Sequence, residues 1–332
     1  MAGNYSCAGG SIVATREHQR LDILAAISGV MIALQARANG ELSHRLDNGV
    51  QAALISFSSG LLIIAIVALF SPAIKVGARN MRAAVRAKEL PIWTLFAGAL
   101  GGTFVAIQTH VVPVIGVAIY SVASIAGQTA ASLLVDRLGI TGGGKKQITR
   151  RRVAAALFTV FAVFISVFDR LDSSDLSLFA VLLAGFAGAV VGVQRALNGQ
   201  INEHSHQSYS TSLLNFIMGT SFLTLFLAGK ILFTSTELSP LPAGPWWIYT
   251  GGVIGVIYIA FTSKIVQHLG VLTFTLFSVG GNLMGSLLID LYSPTEGVQI
   301  SAYLVTGIAM TYLGVIVGGV NNSQVRISRN HK

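Results

Sequence analysis

Long stretches of this chain carry no Asp, Glu, Lys or Arg. They cover residues 48–74, 90–135, 176–194, 204–229, 238–263, 265–289 and 297–325. About 20 apolar residues cross the hydrocarbon layer as a helix, so each run reads as membrane-spanning. The run 90–135 is long enough for two spans, and Val111-Val112-Pro113-Val114-Ile115-Gly116 interrupts it with a proline and a glycine where a hairpin would fall. Two weaker segments, near 21–40 and 153–168, raise the prediction to ten transmembrane helices. The ten-residue alternating segments of a transmembrane barrel are absent. The expected class is an all-α integral membrane protein.

Only 11% of the residues are charged and 53% are hydrophobic, whereas about a quarter are charged in soluble domains. An ordinary soluble enzyme is thereby excluded. The first twenty residues hold Arg16, Glu17, His18 and Arg20 without an apolar core, so a cleavable signal is not expected and the first helix reads as an uncleaved anchor. Cys7 is the single cysteine, which leaves no intrachain disulfide and no cysteine-based metal or redox motif.

The net charge of +9 reads as topology, not nucleic-acid binding. With ten spans, one side collects 18 of the 22 Lys and Arg, including Lys75, Arg79, Arg82, Arg86 and Lys88, then Arg137, Lys145, Lys146, Arg150, Arg151 and Arg152. The other side holds only Arg37, Arg45, Arg170 and Lys230. The positive-inside bias then predicts a multi-pass protein of the cytoplasmic (plasma or bacterial inner) membrane with both termini in the cytoplasm. The chain divides into a tail (1–20), a first five-helix unit (21–168), a second (176–320) and a basic tail (321–332).

The two units are related. Gln35, Asn39 and Gly40 match Gln194, Asn198 and Gly199 at an offset of 159, which also pairs Gly29 with Gly188, Phe57 with Phe216 and Gly60 with Gly219. Farther on the offset is 154, pairing Trp93 with Trp247, Gly98 with Gly252, Gly101 with Gly255, Gly116 with Gly270, Ser124 with Ser278 and Asp136 with Asp290. The change falls in the basic loop between the second and third spans, where a length difference costs little. Five helices is an odd number, so the second copy is expected to cross in the opposite sense, giving the inverted repeat from which many secondary transporters are built.

At these residues the chain resembles the YdcZ-type family of the drug/metabolite transporter superfamily. The resemblance rests on the Gln-x-x-x-Asn-Gly segments expected to close helices one and six, and on Ser56-Phe57-x-x-Gly60 with Asn215-Phe216-x-x-Gly219. Gly127-Gln128-x-x-x-Ser132-x-x-x-Asp136 and Gly281-Asn282-x-x-x-Ser286-x-x-x-Asp290 extend it. It covers about residues 20–322 and implies a ten-helix transporter-like fold and a role as exporter of small molecules. Some members resemble single five-helix units that must pair, whereas this chain resembles a fusion of two, so oligomerisation is possible but not required.

Polar residues within the spans are the candidate site. Gln35 with Asn39 and Gln194 with Asn198 each share a helical face, and lipid offers them no partners. They read either as a solute path or as interhelical hydrogen bonding. Gln128 and Asn282, each after a glycine near mid-span, read as a central site, with interhelical bonding as the structural alternative. Arg37 and Arg195 sit toward the expected ends of helices one and six; snorkelling suits Arg37, and an anion-attracting role is open for Arg195. Asp136 and Asp290 close their apolar runs and read as capping or ion-pairing groups, with proton coupling as the alternative.

Other features have structural readings. His204-x-His206 lacks a clear third ligand, so a solvated loop is favoured over a metal site. Gly142-Gly143-Gly144-Lys145-Lys146 has no phosphate-loop context and reads as a linker whose lysines meet anionic lipid. The pairs Gly98/Gly102, Gly188/Gly192, Gly251/Gly255 and Gly314/Gly318 mark close helix packing. No catalytic residue, metal site or cofactor is assigned.

The sequence therefore predicts a secondary transporter of a small polar metabolite or drug-like solute that works by alternating access, and the family resemblance implies export. Its rivals are a scaffold or sensor without transport, a membrane-embedded enzyme, for which converging acid, base or metal groups are not evident, and a channel.

Overall fold

A computed structural model of the protein describes residues 8–140, 148–170, 177–234, 237–258, 271–294 and 299–319. Cys7, the Gly142–Lys146 segment, Gly270 and the basic tail beyond 320 lie outside the described residues, as does the side chain of Asp136.

Helix α1 (Ala8–Leu46) ends where Asp47 adopts a φ of 48°, and Asn48 then caps α2 (Gly49–Phe70), its Oδ1 accepting the Gln51 N–H at 3.1 Å. Helix α6 (Leu178–Ser205) ends where His206 turns to a φ of 52°. Both helices thus run past the Asn-Gly pairs expected to close them. A glycine inside a helix costs only about 1 kcal/mol, and Gly40 is used for close packing: a Cβ there would strike Val112 at 2.6 Å. Beyond it, Glu41 reaches Arg37 at 3.5 Å and Arg45 at 2.8 Å, one turn to either side. Arg37 and Arg195 consequently lie within their helices and not at the ends.

The basic loop expected after α2 is itself a helix, α3 (Pro72–Arg86), with Pro72 in its first turn. Ile74, Gly77, Met81 and Ala84 are buried at helical spacing, while Lys75, Arg79, Arg82 and Arg86 are exposed. The buried stripe lies across the turn between α6 and α7 (Ser208–Thr234), where Ser210 Oγ donates to the Ile74 carbonyl at 2.8 Å and Asn80 Nδ2 to that of Ser205 at 3.3 Å.

Helix α4 (Ala97–Leu138) is broken at Gly116, whose φ of 81° and ψ of 168° are not helical. The two arms fold back on each other. The Phe104 and Tyr120 rings are 6.3 Å apart, whereas sixteen residues of continuous helix would separate them by about 24 Å. The first arm approaches α6 antiparallel, with Ala97 near Ile201 and Gly101 against Gln194. The second runs parallel to α6, with Gly127 against Gly185 and the Ile140 carbonyl bonded by Gln200. This is the hairpin expected at residues 111–116.

The remaining elements are α5 (Arg150–Ser166), α7 (Ser208–Thr234), α8 (helical over 251–258), α9 (Val271–Tyr292) and α10 (Ala302–Gly319). Short 3₁₀ turns, Ile92–Phe96 and Trp246–Tyr249, follow Pro91 and Pro245 and expose Trp93 and Trp246. Tryptophan favours the water–bilayer boundary. Six helical stretches among the described residues are long and apolar enough to cross a membrane, and Ala302–Val317 of α10 is a shorter apolar helix. Leu62, Phe70, Phe161, Leu225 and Phe233 are exposed on α2, α5 and α7. In a bilayer these side chains face acyl chains at no cost.

Two close crossings organise the bundle. In α1 against α9, a Cβ at Gly29 would strike the Ser278 carbonyl, and one at Gly281 the Ala26 carbonyl. In α6 against the second arm of α4, Gly188 meets the Ser124 carbonyl and Gly127 that of Gly185 in the same way. Small residues let helix backbones touch where no hydrophobic force drives them together. The α2–α7 contact repeats the theme, with the Phe57 and Phe216 rings 5.5 Å apart and seated over Gly219 and Gly60 respectively.

Candidate functional site: a polar cavity at the centre of the bundle

A cavity of about 560 Å³ lies between the two crossings, within the range of sites for small organic ligands. Of the expected site residues, Gln35, Gln128, Gln194, Arg195, Asn198 and Asn282 line it. Asn39 is not among the lining groups. It is fully buried and donates to Gln108 Oε1 at 3.1 Å, an interhelical bond between α1 and the first arm of α4.

The amides are held in set orientations. Gln35 Nε2 donates to the Gly251 carbonyl at 3.0 Å. Gln194 Nε2 donates to Asn215 Oδ1 at 3.1 Å, and Asn215 Nδ2 donates to Asn198 Oδ1 at 2.8 Å. Asn215 therefore joins Gln194 and Asn198 of α6 and lines the cavity itself. Sequence reasoning used Asn215 only as a repeat marker; its signal was an amide on α7 soon after the tight α6–α7 turn, within reach of an i, i+4 amide pair.

On the second arm of α4, Gln128 Oε1 accepts from the Arg195 guanidinium at 2.6 Å, and its Nε2 reaches Ser124 Oγ at 3.4 Å. Across the cavity, Asn282 of α9 is buried and its Oδ1 has no hydrogen-bond partner among the described residues. The walls between are aromatic: Phe57, Phe104, Tyr120, Phe216, Tyr258 and Phe274. Hydrogen-bonding groups of fixed direction set in an apolar, aromatic wall can orient a small solute without holding it permanently.

Asp290, 2% exposed, lies outside this cavity. Its two carboxylate oxygens accept the N–H groups of Val117 at 3.2 Å and Ala118 at 2.7 Å, the first donors after the Gly116 break. A negative charge at a helix N-terminus satisfies orphan donors and complements the helix dipole. Arg37 donates to Ser293 Oγ at 2.9 Å near the end of α9. Among the described residues no three His, Cys, Asp or Glu side chains gather as metal ligands, and His204 Nδ1 bonds the Gln200 carbonyl at 2.9 Å within α6.

Apolar helices around a central cavity with a few polar groups in a mainly apolar lining suit a multi-pass membrane protein. The family described as "Putative inner membrane exporter, YdcZ" matches residues 21–165 and again 179–317. The chain belongs to that family, and two copies of the family unit fill almost its whole length. A solved structure titled "Crystal structure of protein" is similar in fold, with a TM-score of 0.50 and 16% sequence identity over 92% of this chain and 97% of that chain. No curated protein matches.

Proposed function

We propose that the protein is a secondary transporter, an exporter that moves a small polar metabolite or drug-like solute by alternating access. Its ten spans are α1, α2, the two arms of α4, and α5, followed by α6, α7, the helix beginning at 251, α9 and α10. They form two inverted five-helix repeats. The ends of α1 and α6 support the inversion, since Gly40 of α1 packs near the α4 break while Ile201 of α6 packs near the start of α4. Each repeat contributes one helix to each close crossing.

One observation carries the mechanism: the two ends of the cavity are unequal although the repeats are equivalent. Gly40 is buried against Val112 and Ser43 is only 6% exposed. Their counterparts at the offset of 159, Gly199 and Asn202, line the cavity and are exposed, with nothing within 4 Å of a Cβ at Gly199. In alternating access, two similar halves that differ in this way exchange the differences in a second state. The open end adjoins the basic α3, so positive-inside reasoning assigns it to the cytoplasm, together with both termini.

Cysteine labelling tests this reading. In a Cys7→Ser background, Asn202→Cys should react with a membrane-impermeant maleimide from the cytoplasmic side, and Ser43→Cys from the opposite side only in the alternate state. Solute flux in reconstituted vesicles while Ser43→Cys stays unreactive in all conditions would overturn alternating access.

A further inference from the structure

Arg195 is a charged residue in the lining of the cavity, and no Asp or Glu accompanies it among the described lining residues. It lies ten residues before Ser205, the end of α6, or about 15 Å along the helix axis. Its one hydrogen bond among those described is donated to Gln128 Oε1 at 2.6 Å, and the residue is exposed to the cavity. A guanidinium carries five N–H donors in a planar fork. One is used to fix its direction, and others remain for an acceptor in the cavity.

The first repeat supplies an internal control for a purely structural role. At the offset of 159 the counterpart of Arg195 is Ala36, which is 1% exposed. Ala36 also borders the cavity, and α1 crosses α9 with the same glycine-to-carbonyl contacts that close α6 against α4. Packing of that crossing therefore does not require the arginine. Placing a cation deep in a membrane protein is costly, and such residues pair with a charge or serve a pathway. The opposite wall offers a different group, the buried and unpartnered Oδ1 of Asn282.

We propose that the transported solute is a small organic anion: a carboxylate or sulfonate on an apolar or aromatic body. Arg195, oriented by Gln128, pairs with the anionic group through its remaining N–H donors. The aromatic walls hold the body, and Asn282 Oδ1 accepts a hydrogen bond from the solute where it has a donor. This rests on the transporter reading above and adds the class of its cargo. Uncharged solutes of the same shape leave Arg195 without its counter-charge and bind less well.

Matched acid and amide probes test the charge alone. Benzoate with benzamide, and benzenesulfonate with benzenesulfonamide, are compared by thermal stabilisation of the purified protein and by counterflow in reconstituted vesicles. Each anion should bind at least tenfold more tightly than its amide. Arg195→Gln should abolish that preference, Arg195→Lys should retain part of it, and both variants should elute as the wild type on size exclusion. Equal binding of acid and amide, or a preference that survives in a folded Arg195→Gln protein, overturns the anion assignment. Anion counterflow at wild-type rate in that variant would overturn it too while leaving the transporter reading intact. Absence of both binding and counterflow for every probe in the folded wild type would count against the two readings together.

Discussion

At the residue scale, the glycines separate into those that the packing requires and those that it tolerates. A Cβ at Gly188 would meet the Ser124 carbonyl, which belongs to helix backbone and cannot swing aside, whereas at Gly192 the nearest atoms stand at 3.4 Å or more. Gly188→Ala should therefore destabilise the fold by about 1–3 kcal/mol as overpacking does, while Gly192→Ala, one turn later, should be near neutral. Thermal unfolding in detergent measures both, and equal effects would contradict the crossing geometry. The polar residues divide in a similar way. Gln128→Ala and Asn282→Ala should reduce solute flux with little change in stability, because both face the cavity; Asn39→Ala should lower stability by about 0.6 kcal/mol, since Asn39 bonds only within the wall. Flux measured alongside the unfolding midpoint distinguishes the two kinds of residue. The i, i+4 spacing put Asn39 and Gln35 on one face but could not say that Gln108 would cover Asn39.

At the element scale, the break in α4 was readable because Pro113 and Gly116 interrupt a run too long for one span. The helix ends were less so. Asn39-Gly40 and Asn198-Gly199 have the composition of a helix C-terminus, yet in a membrane the backbone gains by keeping its own ladder, and the actual stops are the positive-φ residues Asp47 and His206. The amphipathic pattern of α3 was present after Ser71-Pro72, but its charge made it read as a loop. What no local pattern could reveal is the partner of Asp290, since the Val117 and Ala118 N–H groups are orphaned only once the chain turns at Gly116. Asp290→Ala should cost about 1–2 kcal/mol, as removal of a helix cap does, and Asp290→Asn, which keeps one acceptor oxygen, should recover part of it. An unchanged unfolding midpoint in Asp290→Ala would remove the carboxylate from the account of the break.

For the whole molecule, the sequence repeat matters more than any single side chain, because it identifies which positions should exchange environments. Gly40 and Gly199 are equivalent in sequence and opposite in structure: one has Val112 where its Cβ would be, the other has open space. A large side chain at Gly199 fits the state described here and, under the proposed alternating access, would clash with the counterpart state, in which position 199 would take the packing now seen at Gly40. Gly199→Leu should consequently fold with an unfolding midpoint no lower than that of the wild type, keep the cytoplasmic reactivity of Asn202→Cys, and lose both solute flux and any labelling at Ser43→Cys. Gly40→Leu should act in the opposite sense, destabilising the present state and raising the reactivity of the closed end. Single-cysteine labelling in each background compares them directly. Flux retained in a folded Gly199→Leu protein would mean that the open end need not close for solute to cross, the behaviour of a channel and not of a transporter.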